Sequence, residues 1–131
     1  MDMDMDMDTR QTLEQAAKAA NYTIVGWKKD GNGVDVAILS DHSFWQPLLQ
    51  NGMTDYMGDA LRLAVRLGID LNPVVYPVYI EDPLEAVASA HYFSKDGMPR
   101  SLRISERYTR DPDSAVCSVI VRAAVEIAQY R

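Results

Sequence analysis

The residues of this 131-residue chain whose types could do chemistry are two histidines, one cysteine and a set of arginines set among aromatics. Imidazole is the usual acid–base and metal group near neutral pH, so His42 and His91 come first. His42 follows Asp41, an order in which a carboxylate could orient the ring for general-base work; the plainer reading is a polar loop dipeptide. His91 stands beside Tyr92 and Phe93 in an apolar stretch, the setting of a partly buried strand residue rather than a ligand. Cys117 lies near the start of the closing helical segment, where a helix dipole lowers a thiol pKa, but Val116 and Val119 flank it and predict a packed thiol. Metal sites and covalent catalysis need clusters, and none is written here: there is no His-Glu-x-x-His, no Asp-x-Asp-x-Asp-Gly loop and no Gly-x-Ser-x-Gly. Gly31-Asn32-Gly33 leads into a strand rather than a helix, so it is a hairpin turn and not a phosphate cradle. The expectation is a protein that is not an enzyme and carries no metal or cofactor.

Binding surfaces remain. Trp45, Tyr56, Tyr76 and Tyr79 sit near loop or strand-edge positions, and Arg62, Arg66, Arg100, Arg103 and Arg107 supply guanidinium groups. Aromatic stacking combined with arginine forks can hold a nucleotide-like ligand even on an acidic protein. The candidate ligand-binding set is Trp45, Tyr56, Arg62, Arg66, Arg103 and Arg107. Against it stands a simpler possibility, in which Trp45 plugs the core and the arginines are solvated.

Composition narrows the partner classes. A net charge of −6 argues against a nucleic-acid polymer gripped by a broad basic face. Asp2, Asp4, Asp6 and Asp8 concentrate part of that charge in residues 1–8, whose alternating Met-Asp pattern reads as a disordered acidic tail. Hydrophobic residues at 47% and charged residues at 24% are globular values, and residues 9–131 are expected to form one domain. A lone cysteine excludes an internal disulfide framework, no apolar run approaches the roughly 20 residues of a membrane span, and the acidic start has no apolar leader. The expected setting is the cytoplasm, away from membranes.

The elements that must position these residues read as α+β, a mainly antiparallel sheet packed with three helices. Leu13, Ala16, Ala17 and Ala20 recur at helical spacing over 9–20, and Asn21 suits the left-handed position that ends such a helix. Segments 22–28 and 34–39 form a hairpin across Asp30-Gly31 and Asn32-Gly33. A connector over 40–54 holds Trp45 two residues before Pro47, an extended segment pinned over the core. A second helix over 55–67 is expected to bury Met57, Ala60, Leu61, Ala64 and Leu67, with Leu63 widening that face and Gly68 ending it. Val74–Ile80 is β-rich, with Pro77 placing it at an edge or bulge. Segment 84–93 fits helix or strand; the turn at Lys95-Asp96-Gly97-Met98 favours a strand that pairs with 102–108. There Leu102, Ile104 and Glu106 alternate with Arg103, Ser105 and Arg107, which predicts one buried and one charged face. A last helix over 112–130 starts on Pro112, is capped by Asp111, and buries Val116, Val119, Ile120, Ala123 and Ile127, with Arg122 and Glu126 outward.

Three blocks then stand out: Trp45-Gln-Pro47-Leu48, Asp59-Ala-Leu-Arg62-Leu-Ala-Val-Arg66-Leu67, and Asp111-Pro112 leading into Val119-Ile-Val-Arg122-Ala-Ala-Val-Glu126-Ile127. Together they resemble small phage and prophage proteins of the ABA-sandwich and NinX-like groups. The match runs over most of residues 10–130, and only those blocks are specific. The linker between Pro47 and Asp59 is longer than the family pattern, and Tyr76–Tyr92 has no counterpart in it. The resemblance implies a phage origin and a helix–sheet–helix sandwich, and brings no activity with it. The resulting expectation is a non-enzymatic phage accessory protein, acting in the host cytoplasm by sequestering a nucleotide-type signal or blocking a host protein. An assembly homo-oligomer and a small hydrolase built on Asp41, His42 or Cys117 are the alternatives.

Overall fold

The computed structural model describes residues 2–29, 31, 33–48, 57–71, 84–108 and 112–130. In chain order the elements are α1 (Asp2–Ala19), β1 (Ile24–Lys29), β2 (Asp35–Leu39), β3 (Phe44–Trp45), α2 (Met57–Leu67), β4 (Asp70–Leu71), β5 (Leu84–Phe93), β6 (Pro99–Tyr108) and α3 (Pro112–Tyr130). The class is α+β as expected, with the strands split into two antiparallel three-stranded sheets, β1-β2-β3 and β4-β5-β6. The expected strand over Val74–Ile80 lies outside the described residues, as does the Asp111 cap. The helix expected from residue 9 begins at Asp2, so α1 takes in the Met-Asp segment.

The core is organised around α3. Val116, Val119, Ile120, Ala123 and Ile127 are all buried, as the spacing predicts, and so are Ala115, Cys117, Val121, Ala124 and Ala128 on its other sides. A helix apolar around most of its circumference needs partners on more than one side. α3 has them in α1, α2, β5 and β6. Arg122 is exposed, whereas Glu126 is half-buried rather than fully outward.

Two helices end by the same device. Asn21 (φ 61) and Gly68 (φ 68) adopt the left-handed conformation. Beyond α1, the Asn21 and Tyr22 amides donate to the Lys18 and Ala17 carbonyls; beyond α2, the Gly68 and Ile69 amides donate to Val65 and Ala64. This Schellman pattern satisfies carbonyls that a helix end leaves open. The buried face of α2 differs from expectation. Ala60, Leu63 and Ala64 are buried, while Leu61 points outward beside Val65, which is 83% exposed. The expected Ala60, Leu63 and Ala64 hold, with Leu67 half-buried; Leu61 is the departure, and contact with α3 sets which side is covered.

In the first sheet, Gly26 pairs with Ile38, Trp27 with Ala37 and Lys29 with Asp35, with an irregularity between Ile24 and Gly26. The connector supplies a short third strand, in which Trp45 pairs with Ala37 and Phe44 with Ile38. In the second sheet, 84–93 is a strand along its whole length, paired residue for residue with β6 from Leu84↔Tyr108 to Phe93↔Pro99. Ala86, Ala88 and Ala90 then share the inner face with Leu102 and Ile104 under α3. Small residues there let the helix lie close, which a weak helical preference for the same segment cannot match.

Candidate functional site

Register places the strand residues. Successive side chains of β5 and β6 alternate between faces. With Ala88 and Ile104 inside, the other face carries Glu85, Val87, Ser89, His91 and Phe93 on β5 and Pro99, Ser101, Arg103, Ser105 and Arg107 on β6, with Glu85 opposite Arg107 and Val87 buried. His91 lies opposite Ser101, and Ser89 opposite Arg103. Directly paired side chains in such a ladder are about 5 Å apart at Cβ, and diagonal neighbours such as His91 and Arg103 about 7–8 Å. His91, Ser101, Arg103, Ser105 and Arg107 are exposed, and Phe93 is 70% exposed. Arg103 and Arg107 stand about 13 Å apart along the strand. The alternation in the sequence groups Arg103, Ser105 and Arg107; His91, Phe93 and Ser101 join them only through cross-strand pairing, which sequence spacing does not carry.

The remaining expected ligand residues are placed elsewhere. Trp45 is buried in the core, edge-to-face with Tyr22 at 5.6 Å between ring centroids, so the core-plug reading describes it and its ring is not a stacking platform. The guanidinium of Arg66 lies 5.1 Å from the centre of the Tyr22 ring and donates through Nε to the Ala20 carbonyl, so it helps close the end of α1. Arg62 pairs with Asp59, one turn earlier, at 3.3 Å. Arg100 sits 4.3 Å above the Tyr130 ring. Tyr56, Tyr76 and Tyr79 lie outside the described residues. The six-residue set therefore divides: Trp45 and Arg66 meet at Tyr22, whereas Arg103 and Arg107 stand on the second sheet.

The groups considered for catalysis have other partners. Asp41 accepts hydrogen bonds from the Ser43 amide at 3.0 Å and from the Ser43 hydroxyl. Those bonds hold its carboxyl below the ordinary range and close a turn in which His42 takes a positive φ of 69°. Asp41 thus orients the turn rather than the His42 ring, which is exposed. Cys117 is fully buried in α3. Among the described residues no group of three or more His, Cys, Asp or Glu is placed to hold a metal ion.

Sequence reasoning did not single out the two most elaborate polar constellations. The nearly buried Asp35 carboxylate accepts Nε and Nη2 of Arg10 and Nζ of Lys29, all at 3.1 Å. The Arg10 hydrogen bond is the largest influence on it and holds its carboxyl below the usual value, against the opposing effect of burial. Fully buried Gln46 donates to the Asp35 carbonyl at 2.6 Å and accepts the Leu48 amide at 2.8 Å, while its own amide donates to Asp59 at 3.0 Å. Burial pushes the Asp59 carboxyl up, with the Gln46 amide and Arg62 acting against it. These groups join the first sheet to α1 and to the first turn of α2, and their donors and acceptors are matched.

No helix among the described residues is long and apolar enough to cross a membrane. No family model matches the sequence, and neither a curated protein nor a solved structure matches it.

Proposed function

We propose that this protein is a non-enzymatic binding module for a nucleotide-type anion, held on the outer face of β5 and β6. The observation that carries the reading is the shared exposed face: two guanidinium groups, an imidazole, two serine hydroxyls and an open phenyl ring. Arg103, with Ser101 and His91 around it, suits a phosphate, and Phe93 offers a face to a base, whereas Arg107 lies opposite the Glu85 carboxylate. The resemblance to phage proteins implies a host-cell setting, and sequestration of a host nucleotide signal is the role proposed within it.

Titration calorimetry with cyclic nucleotides and ADP-ribose-type compounds, with mass spectrometry of the purified protein for a carried-over ligand, tests this. Binding that Arg103→Ala and Phe93→Ala each weaken by about tenfold is the expected result. Heat-silent titrations against every compound and an empty mass spectrum count against it. A second reading, self-assembly, is favoured by the outward Leu61 and Val65 on α2. A strict monomer in light scattering removes that alternative.

A further inference from the structure

We infer that the outer face of β5 and β6 takes a nucleotide with a single phosphate, its base over Phe93 and Pro99 at the hairpin end and its phosphate on Arg103. This rests on the nucleotide reading of that face and narrows it to one charge class and one orientation. The face is a ladder of directly paired residues, with successive rungs about 7 Å apart. From the hairpin end they run Phe93↔Pro99, His91↔Ser101, Ser89↔Arg103, Val87↔Ser105 and Glu85↔Arg107. Apolar rings come first, then an imidazole and a hydroxyl, then a hydroxyl and a guanidinium. A nucleotide has the same order: a flat base, a sugar with hydroxyls, a phosphate. A cavity of about 270 Å³ marks the base end. His91, Phe93, Pro99 and Ser101 line it, together with Tyr92 and Arg100, the pair between them. Ligand cavities run from roughly 300 to 1,000 Å³, so this one is small and seats one base rather than two. A phenyl face stacks on any base, and His91 and Ser101 carry groups that hydrogen-bond sugar hydroxyls.

Charge sets the number of phosphates. Among the described residues Arg103 is in no ion pair, so its guanidinium fork can serve a phosphate. Beyond Arg103 the face turns against further negative charge. The next rung offers the exposed Ser105 hydroxyl opposite buried Val87, and the rung after it sets the Glu85 carboxylate opposite Arg107. On the far side of Ser89, β4 places exposed Asp70 in the same row as Arg103, two strands and so about 10 Å away. A second or third phosphate would reach toward one carboxylate or the other, and the cation it would meet already faces Glu85. A face that held anions by general positive charge would instead bind a triphosphate more tightly than a monophosphate.

The test is calorimetry on the full chain with a nucleoside, its mono-, di- and triphosphates and inorganic phosphate, run once with adenine and once with uracil as the base. The monophosphate should bind about tenfold or more tighter than the nucleoside or inorganic phosphate, and the di- and triphosphates no tighter than the monophosphate. Arg103→Ala should abolish the advantage over the nucleoside, and Phe93→Ala the advantage over inorganic phosphate. Both side chains are exposed, so an unchanged thermal transition shows that the variants are folded. Glu85→Gln should tighten the triphosphate by about threefold. A triphosphate that binds the native chain about threefold or more tighter than the monophosphate overturns the single-phosphate assignment and leaves the nucleotide reading standing. A monophosphate affinity that Phe93→Ala leaves unchanged overturns the orientation. Absence of binding by every nucleotide removes the assignment and the nucleotide reading together.

Discussion

Asp35, Gln46 and Asp59 form one linked set of polar groups, with Gln46 bonded to both of the others. Asp35 is nearly buried while its partner Arg10 is 43% exposed, so the two halves of the pair are not equivalent. Arg10→Ala strands a nearly buried carboxylate with Lys29 alone and should destabilise by about 1–3 kcal/mol in urea unfolding, more than Asp35→Asn does. The acid limb follows from the sign of the shift. Asp35 is held below its ordinary value of 3.8, so its stabilisation is complete above that pH and is lost as pH falls through the lower folded-state value. Asp35→Asn should lack that loss when urea midpoints are followed into acid. Asp59 works the other way: its raised value gives a contribution present below pH 3.8 that disappears as pH rises through the folded-state value. Asp59→Asn should therefore flatten the stability profile above pH 3.8 while keeping an oxygen to accept the Gln46 amide. Gln46→Ala leaves the Asp35 carbonyl and the Leu48 amide without their partner, and should lower stability by about 2–4 kcal/mol.

At the scale of elements, the two matched helix ends make a controlled comparison. Gly68→Ala places a Cβ at φ 68°, with open space around it, so only backbone strain is added. The expected cost is about 1 kcal/mol, read as a lower urea midpoint with an unchanged slope. Asn21→Gly at the equivalent position of α1 relaxes the same strain and should be neutral to slightly stabilising, which the same titration checks. The contrast between α2 and α3 shows where periodicity stops being decisive. On α3 the expected stripe is buried with the neighbouring sides as well. On α2, Leu61 and Leu63 are equally apolar and both adjoin a plausible stripe, and only the position of α3 turns one inward and leaves the other in water.

The whole molecule depends on α3, which packs on two helices and on both long strands of the second sheet. Ile120→Ala opens a hole at a fully buried position of α3 and should cost about 2–5 kcal/mol. Trp27 in the first sheet and the helical circular dichroism signal should then lose structure in one shared transition, because one contiguous core links them. Two separated transitions would mean that the first sheet and α1 form a unit independent of α3. The exposed residues proposed for binding on the outer face of β5 and β6 lie outside this core, so substitutions of Arg103 or Phe93 should leave the transition in place.

Periodicity, turn chemistry and capping are local properties, and the sequence by itself determined what depends on them. The Asp-Gly and Asn-Gly hairpin, the left-handed Asn21 and Gly68, the charged alternation of β6 and the apolar stripe of α3 are all written within a few residues of where they act. The tertiary structure alone decided the rest. Segment 84–93 had both propensities until ten pairings with β6 chose the strand. Trp45 could have faced ligand or core, the core being the simpler reading, until packing against Tyr22 and pairing with Ala37 buried it. Arg66 joined the end of α1 rather than Arg103, and His91 and Phe93 came to Arg103 only across a strand register. Contacts between segments far apart in the chain are set by the packing of whole elements, and side-chain spacing within one segment does not encode them.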